Sequence, residues 1–510
     1  MTVTLATFME VLDTSVANVS LPHIAGNLSE GIDAATWILT SYLVSNAVVL
    51  PLSSWISTRI GRKRFYMSCV ALFTVSSFLC GIAPNLSLLI VFRILQGAGG
   101  GGLQPSEQAI LADTFPAERR GMAFAIYGMA VVLAPAIGPT LGGYITDNAS
   151  WRWIFFINVP VGIVSLLLTH HLVEDPPWIR RSRERHLPID YVGLSLVVLG
   201  LGALQLVLDK GEREDWFASG TIIAGTVVAS LALLATIVWE CRHAHPVIDL
   251  KLLARRSFAA AFTMMFVLGL SLYGTTVLLP QYLQLLLGYT AEQAGKTLSP
   301  GGIVVMMLLP LVGKLLGKID PRWLIGFGFA ALSLSLFHMS GIYPGIDFKT
   351  AVMLRIYQSI GLAFLFVPIN TVSYVGVPRD KYGEVSSLIS LARNIGGSVG
   401  IALTQTLIAR RAQAHQVRLV EHVSPLDPSF RRVLAGLQSL LERRGMAAAE
   451  ATRAAYARIA AAVTEQATAL AFIDVIWVLA ILCALMLPTV LLVRKPPRGM
   501  ATPAHRAGHA

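Results

Sequence analysis

The sequence predicts an all-α integral membrane protein, and three observations carry that reading. From Val3 to Val493 the chain alternates apolar runs of roughly 18–25 residues with short charged connectors, about fourteen times over. Hydrophobic residues make up 55% of the chain and charged residues only 14%, with a mean hydropathy of +0.65. A soluble domain carries about 25% charged residues and needs a water-facing side on each helix. Finally, Lys and Arg gather in alternate connectors.

The helices expected from these runs are 3–22, 36–58, 65–83, 87–111, 121–145, 152–171, 190–208, 218–239, 257–279, 292–314, 323–341, 350–375, 384–409 and 469–493. The basic connectors hold Arg59, Arg62, Lys63 and Arg64; Arg119 and Arg120; Arg180, Arg181, Arg183 and Arg185; Arg242, Lys251, Arg255 and Arg256; Lys314, Lys318 and Arg322; Arg379 and Lys381; and Arg494, Lys495 and Arg498. This positive-inside alternation places those loops, and with them both termini, in the cytoplasm. The net charge of +11 is therefore a topology signal rather than a nucleic-acid footprint. The four cysteines form no metal or redox spacing and are read as small core residues. Neither a cofactor nor a metal is expected.

The order of elements suggests two related six-helix halves with helices seven and eight inserted between them. The expected units are 1–171, a linker with the inserted helices at 172–256, a second half at 257–493, and a cytoplasmic tail at 494–510. Gly138-Pro-Thr-Leu-Gly-Gly143 in helix five has an echo in Gly396-Gly-Ser-Val-Gly400 in helix thirteen. Repeated halves are how many transporters build a rocking pair around a central site. Residues 410–468 form a long polar insert, placed outside by the helix count, with helical composition over 430–444 and 447–469. It reads either as a solvated hairpin resting on its own membrane domain or as a docking surface.

Charges within apolar helices cost at least about 2.5 kcal/mol each on insertion scales, so each invites a functional reading. Glu10 and Asp13 stand three apart on one face of helix one. An acid sequestered from water is suited to exchanging a proton during transport, and Asp13 is the leading candidate, with Glu10 assisting. Helix four carries Arg93, Gln96, Gln104 and Glu107, with Gly97 and Gly100 between them. At about 100° per residue these share one narrow sector, as expected of a helix lining a water-accessible path. Arg93, always charged, would tune the nearby acids. Asn18, Arg393 and Asp474 are further candidates for the substrate path. In helix five, Pro135, Gly138, Pro139, Gly142 and Gly143 combine a weakened helix with close packing, which suits a gate. His170-His171 point apart on their helix and are read as an ordinary interfacial pair. Phosphate-binding loops and Ser-His-Asp arrangements are missing, which removes support for ATP-driven pumping and for an enzyme.

Several strings resemble the major facilitator superfamily, and within it the fourteen-helix drug:H⁺ antiporters of the EmrB/QacA type. Leu12-Asp-Thr-Ser-Val-Ala-Asn-Val-Ser-Leu-Pro22 is similar to that family's first-helix motif, and Arg93-Ile-Leu-Gln-Gly97 to its helix-four motif. Gly138 to Gly143 match its antiporter motif, and Trp151-Arg-Trp-Ile-Phe-Phe-Ile-Asn-Val-Pro-Val-Gly162 is the most specific string. Arg59, Gly61, Arg62 and Lys63 match the loop motif after helix two, although Ser54 stands where the superfamily has Gly and Thr58 where it has an acid. Ala125 and Ala134 replace two motif glycines, and Glu10 is an added acid. The resemblance implies proton-driven export of hydrophobic, often cationic drugs across a bacterial inner membrane. It also implies a periplasmic membrane-fusion adaptor and an outer-membrane channel as partners. An exporter dedicated to one physiological solute, such as a siderophore, fatty acid or metabolite, is the alternative on the same scaffold.

Overall fold

The computed structural model describes residues 2–175, 190–244, 246–421, 423–424 and 426–494. The basic run Arg180, Arg181, Arg183 and Arg185, and Lys495 and Arg498 in the tail, lie outside the described residues. All regular elements described are helical. The first half comprises α1 (Thr4–Asn27), α2 (Ile32–Ile60), α3 (Arg62–Ile82), α4 (Leu86–Thr114), α5 (Ala117–Asn148) and α6 (Trp153–Leu172). The inserted pair is α7 (Tyr191–Lys210) and α8 (Gly220–Arg242), packed against each other. The second half comprises α9 (Arg256–Leu287), α10 (Ala291–Leu315), α11 (Pro321–Met339), α12 (Phe348–Ser373), α13 (Tyr382–Glu421), α14 (Pro428–Arg443) and α15 (Ala448–Ala484).

Eleven helices are long and apolar enough to cross a bilayer, and α5 makes a twelfth when its two segments, Arg119–Pro135 and Thr140–Asn148, are joined across a 43° bend. The remaining two spans, α1 and α13, are 24 and 40 residues long and packed among the others. They carry more polar groups because they face the interior of the bundle. The described residues thus hold fourteen bilayer-length helices. Leu167, Leu231, Leu234 and Leu334 are each at least 58% exposed on the outer surface, as lipid rather than water requires.

Some boundaries differ from the sequence reading. The first span does not stop at Pro22 but continues to Asn27 with the proline inside it, because neighbouring helices relieve a proline in a spanning helix. The polar insert does not separate spans thirteen and fourteen from its own helices. Span thirteen runs on unbroken to Glu421, and α15 runs from Ala448 straight into the membrane. Hydropathy falls where lipid ends, whereas a stretch of Ala, Arg, Glu and Gln with no breaker keeps the helix going. Between them α14 lies on α15 through Leu434, Leu437, Leu441, Met446, Ala451 and Ala455, leaving Val433 and Leu440 exposed.

The halves meet along α2 with α13 and α5 with α10. Within each half the same device sets the central crossing. A Cβ on Gly138 would lie 2.3 Å from the Ser15 hydroxyl and one on Gly142 3.0 Å from Val16, so α5 closes onto α1. On the other side, a Cβ on Gly396 would lie 2.1 Å from the Phe266 carbonyl and one on Gly400 2.3 Å from that of Leu270, so α13 closes onto α9. Gly143 faces open space, and the side chain of Pro139 lies outside the described residues.

Candidate functional site

The polar stripe of α4 runs alongside the acids of α1 as a ladder. Gly97 and Gly100 make this geometry: a Cβ on either would lie 2.4 Å from the Tyr42 carbonyl or 2.6 Å from the Tyr42 hydroxyl. Their smallness brings α2 against α4 and lays the Tyr42 ring 4.3 Å under the Arg93 guanidinium.

On the first rung, Arg93 Nη1 donates to Asp13 Oδ2 at 2.6 Å, with the side chains 0% and 1% exposed. Asp13 Oδ1 accepts from Gln96 Nε2 at 3.0 Å and from Asn158 Nδ2 at 2.7 Å. Arg93 is held in turn by the Ile38 carbonyl at 3.1 Å and Gln96 Oε1 at 2.8 Å, while its Nη2 has no partner among the described residues. This is a closed ion pair. Protonating Asp13 here would strand a buried guanidinium.

The second rung is different. Glu10, 4% exposed, accepts from Gln104 Nε2 at 2.6 Å, Asn46 Nδ2 at 3.2 Å and the Tyr42 hydroxyl at 3.4 Å. All three donors are neutral, so a proton on Glu10 strands no cation in direct contact with it. Two of the donors reach across to the other half: Gln104 Oε1 accepts from Arg393 of α13, and Asn46 Oδ1 accepts from Asn394 at 3.2 Å. Arg393 also donates to the Tyr127 hydroxyl at 3.4 Å, and Gln108 donates to both Tyr127 and Ser390 at 3.0 Å. Glu10 therefore sits one hydrogen bond from the seam between the halves. On the third rung Glu107 is fully buried, with the Thr4 and Thr7 side chains beside its carboxylate.

Towards the termini the seam is shut. Ser53 and Ser387 hydroxyls lie 2.8 Å apart, Phe124 stacks on Tyr374 at 5.7 Å, and Arg120 lies 4.9 Å over the Tyr382 ring. Tyr127 stacks on Phe366 at 5.7 Å, and Phe366 lines a largely apolar cavity with Val131, Pro135, Leu272, Leu298 and Arg355. The loop motif is pinned close by. Arg62 pairs with Asp113 at the end of α4, and Gly61 adopts φ +96° where a Cβ would meet the Asp175 carboxylate at 2.8 Å. Lys63 donates from its backbone N–H to Asp175 Oδ1 at 2.8 Å and from Nζ to the His170 carbonyl at 2.6 Å. Asp113 thus supplies an acid on this side of the bundle, where Thr58 does not. Arg59 lies 4.3 Å over the Trp55 ring.

Two of the expected path residues stand apart from this ladder. Asn18 is exposed further along α1. Asp474 pairs with Arg411 at 3.2 Å and His415 at 2.9 Å, fastening α15 to α13 at the base of the polar hairpin. Asn158, Ser77 (whose hydroxyl accepts from Asn158 Nδ2 at 3.0 Å), Tyr42 and Asn46 join the site although nothing in the sequence singled them out, beyond the presence of Asn158 in the Trp151–Gly162 string. Arg355 was also missed. Its signal was there, because Arg355-Ile-Tyr-Gln358 in α12 repeats the Arg-x-x-Gln spacing of Arg93 to Gln96.

The Major Facilitator Superfamily model matches residues 3–401. The chain is 36% identical over 496 residues to the multidrug export protein EmrB of Escherichia coli (strain K12), covering 97% of this chain and 94% of that one. It is 40% identical over 435 residues to the fatty acid resistance protein FarB of Neisseria gonorrhoeae, covering 85% of each. Among solved structures, the proton:xylose symporter XylE overlays with a TM-score of 0.58 at 14% identity, over 96% of this chain and 94% of that one, a likeness of fold alone. By its helix architecture and by these matches, the chain belongs to the major facilitator superfamily of membrane transporters.

Proposed function

We propose that the protein is a proton-driven multidrug exporter of the bacterial inner membrane, with Glu10 as the residue that takes the transported proton. What supports the export reading is the likeness to EmrB over nearly the whole chain. What supports the role of Glu10 is its wiring. It is a buried acid held by neutral donors, two of which also carry the links to α13. A proton arriving on Glu10 neutralises the carboxylate and turns one of its oxygens into a donor, which unsettles either the bond from Gln104 on Oε2 or those from Asn46 and Tyr42 on Oε1. The Gln104–Arg393 and Asn46–Asn394 bridges then re-pair, and the contact between the halves changes its favoured packing. Asp13 and Arg93 act as a fixed dipole beside it, and Glu107 as a relay towards the termini. One net charge moving down the membrane potential supplies roughly 2.3 kcal/mol per 100 mV. The bend in α5 lets its outer segment move while Gly138 keeps it on α1.

In this reading residues 1–171 and 257–493 are the rocking halves, 172–256 carry the inserted pair, and both termini, with the tail 494–510, are cytoplasmic. The α14 hairpin is the surface for a periplasmic adaptor and, through it, an outer-membrane channel. Crosslinking from Val433 or Leu440 tests that contact, and full resistance after deletion of the hairpin would remove it.

The test of the function is transport in proteoliposomes under an imposed proton gradient across a library of hydrophobic and cationic compounds. Gradient-dependent movement of several unrelated compounds is expected; no movement of any would overturn the reading. The alternative, export of one physiological solute, takes its support from the likeness to FarB. A susceptibility panel in an efflux-deficient host that showed no protection against any drug would favour it.

A further inference from the structure

The inserted pair is more than a spacer in the chain, because α7 is fastened to both halves. The hydrogen bonds Ser53–Ser387 and Asn46–Asn394 join α2 to α13 directly, at the end towards the termini and in the middle of that seam. On the far side α7 lies between the two helices. A Cβ on Gly202 would rest 3.8 Å from Val44 and 3.7 Å from Val48 of α2, while buried Gln205 accepts from Ser398 of α13 at 2.9 Å. At its far end α7 is anchored to the first half. Lys210 Nζ donates to the Thr36 hydroxyl at 2.7 Å and lies 4.8 Å over the Trp37 ring, and Asp209 accepts from Thr40. Lys210, Thr36 and Thr40 are all buried. Just beyond, the turn between α7 and α8 is fastened to the second half: Trp216 Nε1 donates to the Thr406 hydroxyl at 2.9 Å, and Arg410 pairs with Asp215 at 3.0 Å.

The two fastenings are unequal. Asp215 and Trp216 both take φ +52°, left-handed backbone that residues other than glycine rarely adopt, and then singly. The turn is wound tight: the Trp216 N–H donates to the Gly211 carbonyl at 2.6 Å, and a Cβ on Gly211 would lie 2.8 Å from the Trp216 ring. Backbone of this kind persists only while its surroundings hold it. Here they are one indole hydrogen bond and an ion pair whose side chains are 58% and 76% exposed, a weak hold. We infer that this turn is a strap with a releasable catch: fastened to Thr406 and Arg410, it keeps the far ends of α2 and α13 apart and the side towards the termini shut, and its release lets that side open. Alternating access opens one side of a bundle as the other closes. Closing the far side needs α2 and α13 to approach there, and α7 stands between them while fastened at both ends. Once the catch and the neutral Gln205–Ser398 contact part, the inserted pair stays with the first half through Lys210 and Asp209. The inference goes beyond the exporter reading, since it concerns which side is open and not what is carried.

The labelling rate of Ser387→Cys by a water-soluble maleimide, in the full chain in phosphatidylcholine nanodiscs, tests this with neither cargo nor a proton gradient. Cys241, which is exposed, is replaced by Ser in every sample. Ser387 is buried against Ser53 in the shut seam, so its labelling follows opening of the side towards the termini. Trp216→Phe with Arg410→Gln removes the indole N–H and the cation while keeping a ring and a long side chain, and is expected to raise the rate at least about threefold. Asp215→Gly, which frees the backbone and removes the acid, should raise it as well. Glu214→Gln alters only a bond to Ser219 inside the turn and should leave the rate unchanged. An unchanged rate in both catch variants, or an equal rise with Glu214→Gln, would overturn the inference.

Discussion

Asp13→Asn keeps the shape of the side chain and removes the one charge that faces Arg93. The new carbonyl can still accept from Gln96 and Asn158, but the new amide then confronts the guanidinium, donor against donor. Arg93 is 0% exposed and has no other acid in ion-pair distance among the described residues. Its Nη2 is already unpartnered, so nothing nearby can take over. Leaving such a charge unpaired costs about 3–5 kcal/mol, more than about 100-fold in an unfolding equilibrium. Arg93→Met carries the reciprocal penalty on Asp13. The double variant removes both charges and leaves an apolar side chain between the Tyr42 and Phe155 rings. It should therefore recover much of the loss, with a coupling of at least about 2 kcal/mol between the two sites. The assay is unfolding in mixed dodecyl maltoside and SDS micelles, followed by far-ultraviolet circular dichroism. Additivity within about 0.5 kcal/mol would refute a closed ion pair.

Glycine substitutions separate contact from composition. Gly138→Leu drives a side chain into Ser15 and is expected to cost about 1–3 kcal/mol and to stop dye efflux, while Gly143→Ala, facing open space, should be silent in both thermal stability and efflux. Gly97→Leu pushes on the Tyr42 backbone; efflux from everted vesicles should fall severalfold even where size-exclusion profiles stay monodisperse. Asp113→Ala strands Arg62, and Arg62→Gln in the same chain should restore expression relative to the single variant. Leu441→Asp breaks the cluster joining α14 to α15, so limited proteolysis should cut near residues 443–448 while binding of tetraphenylphosphonium stays unchanged.

The sequence made the site's ingredients visible but not its pairings. Glu10, Asp13, Arg93 and Glu107 stood out because an ionisable group is rare in an apolar run, and helical spacing put each set on one face. Which acid meets which partner depends on how α1, α2 and α4 cross. Gly97 and Gly100 decide that crossing through contacts with a backbone carbonyl and a tyrosine hydroxyl from another helix. Asn158 and Asn46 were hidden because a neutral amide in a membrane helix has many uses, and only a three-dimensional neighbour shows which one applies. Arg355 was hidden for another reason: the echo between halves shows first in the glycines of helices five and thirteen, and the Arg-x-x-Gln spacing is a fainter signal. The spans themselves were legible from hydropathy, but the ends of α1, α13 and α15 were not, since a helix of good formers does not stop where the lipid does.

Proton release on ligand binding tests most directly whether Glu10, rather than Asp13, carries the proton. Purified protein in weakly buffered detergent is mixed with tetraphenylphosphonium while a pH indicator is followed. The natural chain should release a proton, the Glu10→Gln variant should bind without release, and the double variant lacking Asp13 and Arg93 charges should still release. Release of undiminished amplitude from Glu10→Gln would contradict a proton carried on Glu10.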